Sequence, residues 1–156
     1  MKGDERVVKK LDELLCDELT AIMQYVVHAE MCANWGYQRL HQAVESRARQ
    51  EMHHAEKLIA RIIFLEGTPT VSRLNPVHIG ADVPQQLQAD LKAEAHTCGM
   101  YNEAIHLTDQ ANDAATRDIL ESILKEEDAH VDWLEEQLEQ MAQLAPPLYL
   151  STQTRT

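Results

Sequence analysis

Glycine and proline are scarce in this chain, five of each in 156 residues, and aromatic side chains make up only 4%. Sheet-built sandwiches and barrels need frequent turns and many β-branched or aromatic positions, so this composition argues against them. Basic residues are also in short supply. Fourteen Lys and Arg stand against 26 Asp and Glu, a formal net charge of −12. Such a surface repels phosphate backbones and anionic lipid, which argues against nucleic-acid binding. The three cysteines, Cys16, Cys32 and Cys98, form no CxxC, which leaves neither a disulfide framework nor a Cys-based zinc site and makes them packing thiols. No run of about 18 apolar residues is present to span a bilayer, and the opening MKGDERVVKKLDELL lacks an apolar signal core. A cytoplasmic location is the expectation.

What is abundant is Ala, Leu, Glu and Gln, all strong helix formers. With 44% hydrophobic and 26% charged residues the chain reads as one folded, all-α domain spanning 1–156. The breakers are clustered. Between Asp4 and Glu66 there is one glycine, Gly36, and no proline, while three of the five prolines follow Gly67 within the segment running to Pro84. Four helices are therefore expected, over about 4–34, 38–66, 83–111 and 113–144. Asp4, Asp82 and Asn112-Asp113 serve as start signals, Gly67 as a C-terminal cap, and the Pro146-Pro147 pair as the final stop. Each helix of some 30 residues is about 45 Å long. Tight turns join the first and second and the third and fourth helices into antiparallel hairpins. The connection 67–81 spans about 50 Å when extended, one helix length. Two hairpins joined by one long crossover make a four-helix bundle.

Apolar residues recurring at alternating spacings of four and three mark a seam in each helix. The seams read Leu11, Leu15, Glu18, Ile22, Tyr25; then Val44, Ala48, Glu51, Ala55, Leu58, Ile62, Leu65. The third and fourth read Leu87, Leu91, Glu94, Cys98, Tyr101, Ile105; then Leu120, Leu124, Glu127, Val131, Leu134, Leu138, Met141. Every seam carries one glutamate near its middle. Buried carboxylates are expensive alone, so four converging at mid-depth call for cations between them.

Two of these glutamates are followed by histidine three residues later, as Glu51/His54 and Glu127/His130. That spacing puts both side chains on one side of a helix. Glu18 precedes Glu51 by 33 residues, and Glu94 precedes Glu127 by the same 33; an offset of 76 superposes the two hairpins' ligand patterns. Glu103/His106 shows the same short spacing, but Thr70 stands 33 residues before Glu103, so nothing completes that pair. One Glu from each of two helices plus two Glu-x-x-His pairs is the di-iron or di-manganese carboxylate arrangement of ferritin-like bundles. Mixed carboxylate and imidazole donors suit iron or manganese and leave positions open for an oxidant. Four carboxylates offset two divalent cations and favour the trivalent product, which points to Fe(II) oxidation with electrons passing to O2 or H2O2. Tyr25 and Tyr101, each seven residues past a seam glutamate, are candidates to hydrogen-bond a ligand or supply an electron.

At these residues the sequence resembles the bacterioferritins. The likeness runs through MKGDERVV, DELTAIMQYVVHAEM, NWG, EMHHAE, RIIFLEGTP, RDILESILKEEDAHVDWLE and the closing YL, and covers nearly the whole chain. The resemblance implies a ferritin-like bundle with a short fifth helix in the C-terminal tail. It also implies a ferroxidase centre at Glu18, Glu51, His54, Glu94, Glu127 and His130, with Glu51 and Glu127 bridging a dinuclear iron pair. A homo-oligomeric 24-subunit shell built from two-fold dimers, storing ferric mineral, follows from the same likeness, as does a ferredoxin-type reductant. Haem b is implied between subunits, with Met52 as its thioether ligand. Met52 lies about 100° round the helix from Glu51, off the bundle core, where an outward methionine also suits a helix-helix dimer contact. Val26, Glu45, Arg49 and His53 depart from the usual haem surroundings, and Ser46 and Gln50 replace the His and Asp of an inner-wall iron site. Two other readings use the same bundle. A rubrerythrin-like peroxidase usually carries a Cys-rich module, which is missing, and a non-catalytic or DNA-protecting shell has no use for six mid-bundle ligands.

Overall fold

A computed structural model describes residues 1–155. It contains α1 (Glu5–Trp35), α2 (Gln38–Phe64), α3 (Val83–Gln110), α4 (Ala114–Leu144) and α5 (Pro146–Ser151). The first four lie within two residues of the expected bounds, because their ends are chemically marked. Asp4 caps α1 by accepting from the Arg6 and Val7 amides, Asp82 caps α3 through Gln85 N, and Asp113 caps α4 through Thr116 N. Gly36 closes α1 at φ +86°, a left-handed conformation that glycine adopts without strain.

The end of α2 departs from expectation. The helix stops at Phe64 and Leu65 is its cap; Glu66, not Gly67, takes the left-handed conformation at φ +64°. Gly67 donates its amide to Ile62 O at 2.9 Å. A Cβ on Gly67 would sit 2.5 Å from Val8 Cγ1, so what this position requires is close approach to α1.

α1 packs along α2 and α3 along α4, while α1 also contacts α3 and closes the bundle. α5 turns back over one end of α4. There Tyr149 is fully buried and donates its hydroxyl to Gln137 Oε1 at 2.7 Å. The seams of α1 and α2 are buried at every position named from the sequence, whereas Leu91, Cys98, Ile105, Leu124, Val131 and Leu138 are only half-buried. α3 instead buries Asp90, Thr97, Ala104 and Thr108. Cys16 and Cys32 are buried as expected, but Cys98 is not a core thiol.

The crossover 65–82 carries no helix or strand, and its backbone polar groups are satisfied largely by α1. Asp12, Cys16, Thr20, Gln24 and His28 stand four residues apart on one face. Asp12 accepts from Thr70 N, Thr20 from Asn75 N, Gln24 from His78 N and His28 Nε2 from Gly80 N, while the Cys16 thiol donates to Arg73 O. Gly80 is the end of this strap; a Cβ there would meet Gln86 N at 2.3 Å.

The core divides into hydrocarbon at both ends and a polar middle. One cluster gathers Leu11, Leu15, Leu58, Ile62, Tyr101 and Leu120 among others, and a second holds Leu40, Val83, Leu87, Leu134, Met141 and Tyr149. The six seam ligands lie in the interior as well.

Candidate metal centre

Glu18 is presented by α1, Glu51 and His54 by α2, Glu94 by α3, and Glu127 and His130 by α4; none is more than 2% exposed. Their donor atoms fall into two groups. In the first, ligand atoms of Glu18, Glu51, His54 and Glu127 lie within 4.8 Å of one another; in the second, those of Glu51, Glu94, Glu127 and His130 do so. Glu51 and Glu127 belong to both. The geometry therefore offers two adjacent positions, each faced by three carboxylates and one imidazole, with the shared pair between them.

Hydrogen bonding leaves this cluster incomplete. Glu18 Oε2, Glu51 Oε1, Glu94 Oε2, both oxygens of Glu127 and Nδ1 of His130 are buried and make no well-directed hydrogen bond, although His54 Nδ1 approaches Glu127 Oε1 and Glu94 Oε1 approaches His130 Nδ1 as ion-pair contacts. A single such group costs about 1–3 kcal/mol, so six together mark a site built for something else to bind. Burial is the main cause that raises the carboxyl pKa of Glu18, Glu51, Glu94 and Glu127 above the ordinary range. The two histidines shift oppositely. Burial opposes charge on His54, but Glu127, Glu18 and Glu51 around it outweigh burial and hold its proton firmly. His130 is lowered by burial, since Glu94 is the one carboxylate supporting its charge while Arg47 and His54 oppose it. Protonated His54 thus does part of a cation's work, with Nδ1 2.7 Å from Glu127 Oε1, 3.2 Å from Glu51 Oε2 and 3.6 Å from Glu18 Oε2.

Tyr25 donates its hydroxyl to Glu94 Oε1, and Tyr101 donates to Glu18 Oε1 at 2.6 Å. The 76-residue offset thus holds for the hydrogen bonds as well as the ligands: each hairpin's tyrosine steadies the other hairpin's lone glutamate. Tyr25 also meets the His130 ring edge-on, with centroids 5.4 Å apart. The donor set fits a pair of divalent metal ions such as Fe(II), since four carboxylates offset their charge and each imidazole serves one ion.

Met52 lies elsewhere. It is 44% exposed on the outer face of α2, as its angle from Glu51 requires. His41, which has no constellation in the sequence, lies 2.9 Å from Glu45 on the same helix and 2.8 Å from Ala29 O. With Glu30 these form a surface group already engaged by Arg49.

Sequence reasoning passed over two sets of polar residues near the centre. Glu126 Oε2 lies 2.6 Å from His54 Nε2. Asp90 is buried and accepts from Gln24 Nε2 at 2.8 Å and His28 Nδ1 at 2.9 Å, one turn before Glu94. The QYVVHA stretch contains both of Asp90's partners, but nothing along the chain pairs them with α3.

No described helix is long and apolar enough to cross a membrane. A profile of the ferritin-like domain matches residues 8–144. A bacterioferritin of Brucella melitensis is 38% identical over 149 residues, 96% of this chain and 92% of the relative. A bacterioferritin of Mycolicibacterium paratuberculosis is 39% identical over 149 residues, 96% and 94% of the two chains. A bacterial ferritin of Pseudomonas aeruginosa is 38% identical over 154 residues, 98% and 99%. Likeness of this extent, on a bundle with this interior, places the chain in the ferritin-like family, among the bacterioferritins.

Proposed function

We propose that this protein stores iron, taking Fe(II) as substrate and oxidising it to Fe(III) at the six-residue centre. The observation that carries this reading is the sharing of Glu51 and Glu127 between two ligand groups whose buried oxygens lack well-directed hydrogen bonds. In balance, two Fe(II) give one electron each, and O2 takes both with two protons to become H2O2, or H2O2 takes both with two protons to become two waters.

The chain's own residues have separable parts in this. Glu18 with His54 and Glu94 with His130 bind the two ions terminally, and Glu51 with Glu127 hold them together. Tyr101 and Tyr25 orient Glu18 and Glu94, and Tyr25 also meets the His130 ring edge-on. The apolar clusters in the bundle interior limit water around the centre, which strengthens each charge interaction inside it. The ferric product is then deposited as mineral within a hollow homo-oligomer of 24 chains assembled from two-fold dimers, in the cytoplasm.

Haem b belongs to the same proposal. The exposed Met52 thioether would hold the haem, one donor from each of two chains. The antiparallel register set by the Ala29–His41 contact brings exposed Met23 and Val26 level with Arg47 and Val44, about one to two turns along α2 from Met52. Met23 and Val26 give a macrocycle apolar cover, while the Arg49–Glu45 pair forms a polar margin. A haem held by paired thioethers would favour reduced iron and supply one-electron chemistry for mineral release, with a ferredoxin-type protein as the electron source.

The test is Glu127→Ala and His130→Ala, each read by the rapid phase of ferric absorbance after Fe(II) addition in air. Both variants are expected to lose that phase while keeping wild-type helix content by circular dichroism. Wild-type oxidation kinetics in either would overturn the assignment.

A further inference from the structure

One carboxylate reaches the centre from the surface. Glu126 is 38% exposed by side chain, yet its Oε2 lies 2.6 Å from Nε2 of the buried His54 and accepts from Gln50 Nε2 at 3.0 Å. A surface cavity of about 530 Å3 opens beside it, lined by Gln50, His53, Glu56, Lys57 and Ala60. A neutral imidazole has one N–H. When a metal ion displaces the Nδ1 proton of His54, the carboxylate at Nε2 keeps the remaining hydrogen on Nε2, and the Nδ1 lone pair then faces the position between Glu18, Glu51 and Glu127.

The other half of the centre lacks this arrangement. The 76-residue offset that carries His54 onto His130 carries Gln50 onto Glu126, so Gln50 stands where His130 would find its own carboxylate. Gln50 is turned away: its Nε2 serves Glu126 and its Oε1 accepts from Arg47. Among the described residues His130 makes no hydrogen bond through either ring nitrogen, although Glu94 Oε1 lies 3.2 Å from Nδ1. The near-symmetric centre therefore has one held histidine and one unheld.

We infer that Glu126 is a positioning residue that fixes the His54 ring with Nδ1 inward and makes the Glu18–Glu51–His54–Glu127 position the tighter of the two, filled first. This rests on the metal-centre reading above. Partners of this kind behind a metal-bound histidine change metal affinity about 10–100-fold when removed. Glu126 touches no metal position itself, so its effect passes entirely through the ring of His54.

The experiment is a Co(II) titration of the metal-free full-length protein, followed by visible absorption, with ring 15N shifts of the histidines recorded before metal is added. Wild type is expected to bind two Co(II) per chain in two steps. Glu126→Ala should weaken the first step by about 10–100-fold and move the His54 ring signals, with helix content unchanged, and Glu126→Asp should recover most of the loss. His54→Ala should remove the first step and His130→Ala the second. An unchanged first step in Glu126→Ala, or the two histidine variants exchanging their effects, would overturn the inference while leaving the metal centre intact. A wild-type protein that takes up no Co(II) would remove both.

Discussion

Tyr101 on α3 donates its hydroxyl to Glu18 Oε1 on α1 over 2.6 Å, between two side chains that are both almost wholly buried. Its counterpart in the repeat, Tyr25, does the same for Glu94. Each bond spans the two hairpins, so the pair ties the halves of the bundle together at the level of the ligands. Burial and the neighbouring carboxylates raise both phenol pKa values well above their ordinary range, which keeps the hydroxyls protonated and able to donate. Replacing either tyrosine with phenylalanine preserves the ring and leaves a buried carboxylate oxygen without its donor. Tyr101→Phe is expected to lower the stability of the metal-free protein by about 1–3 kcal/mol, read from the urea midpoint. A midpoint equal to wild type would show that Glu18 does not depend on this bond.

The strap between the hairpins should be as firmly held as α1's polar ladder makes it. Thr20 accepts from Asn75 N at 2.9 Å and spends its own hydroxyl hydrogen on Cys16 O at 2.7 Å. Thr20→Val keeps the shape and removes the acceptor. The Asn75 amide is expected to exchange with deuterium about tenfold faster or more in that variant, the loss of a bond worth about 1–1.5 kcal/mol. Exchange at Gly80, held by His28 two turns further along, should change little. Equal acceleration at both amides would mean that the strap opens as one unit.

The ligands and the bundle are legible in the sequence because both follow a period. A glutamate that breaks a hydrophobic seam at the same depth four times, twice with histidine one turn on, stands out without any structure. The strap's anchors are less visible. Asp12, Cys16, Thr20, Gln24 and His28 have helical spacing too, but their partners are backbone groups of a segment with no period of its own. Glu126 is hidden differently: beside Glu127 it reads as one more charge on a solvated face, and only the position of His54 across the bundle gives it a role. Asp90 and Cys98 show the limit on α3, whose buried face is partly polar, so that apolar periodicity picks some wrong members.

Met52 gives a test independent of the buried centre. Its thioether is exposed on the outer face of α2, whereas the six ligands are buried inside the bundle. Met52→Ala is expected to abolish the haem absorption band of protein reconstituted with haem while leaving the rapid Fe(II) oxidation phase within about twofold, since an exposed side chain away from the reacting ions contributes little to that step. A haem band of wild-type intensity in the variant would show that Met52 does not hold the haem.

The buried carboxylates also determine how the metal-free protein responds to pH. In Glu18, Glu51, Glu94 and Glu127 burial raises the pKa above the ordinary glutamate value of 4.5, so above pH 4.5 the folded state binds more protons than the unfolded chain. Stability then falls as pH rises through that window. His54 acts in the same direction. Its pKa is raised from 6.5, so its contribution is complete below pH 6.5 and is lost progressively above it. His130 is lowered from 6.5, so its contribution is present above pH 6.5 and is lost as pH falls below. From pH 6.5 upward the carboxylates and His54 therefore act without opposition from His130. Metal-free protein should unfold at a lower temperature at pH 8.5 than at pH 6.5 in a calorimetric scan. Saturating Zn(II), which binds the deprotonated ligands and carries no redox chemistry, should cancel or reverse the difference, because metal binding tightens as those protons leave. A metal-free melting temperature that rises between these pH values would mean that the four carboxylates ionise in the folded interior without cost, and the case for a cation-demanding centre would fall with it.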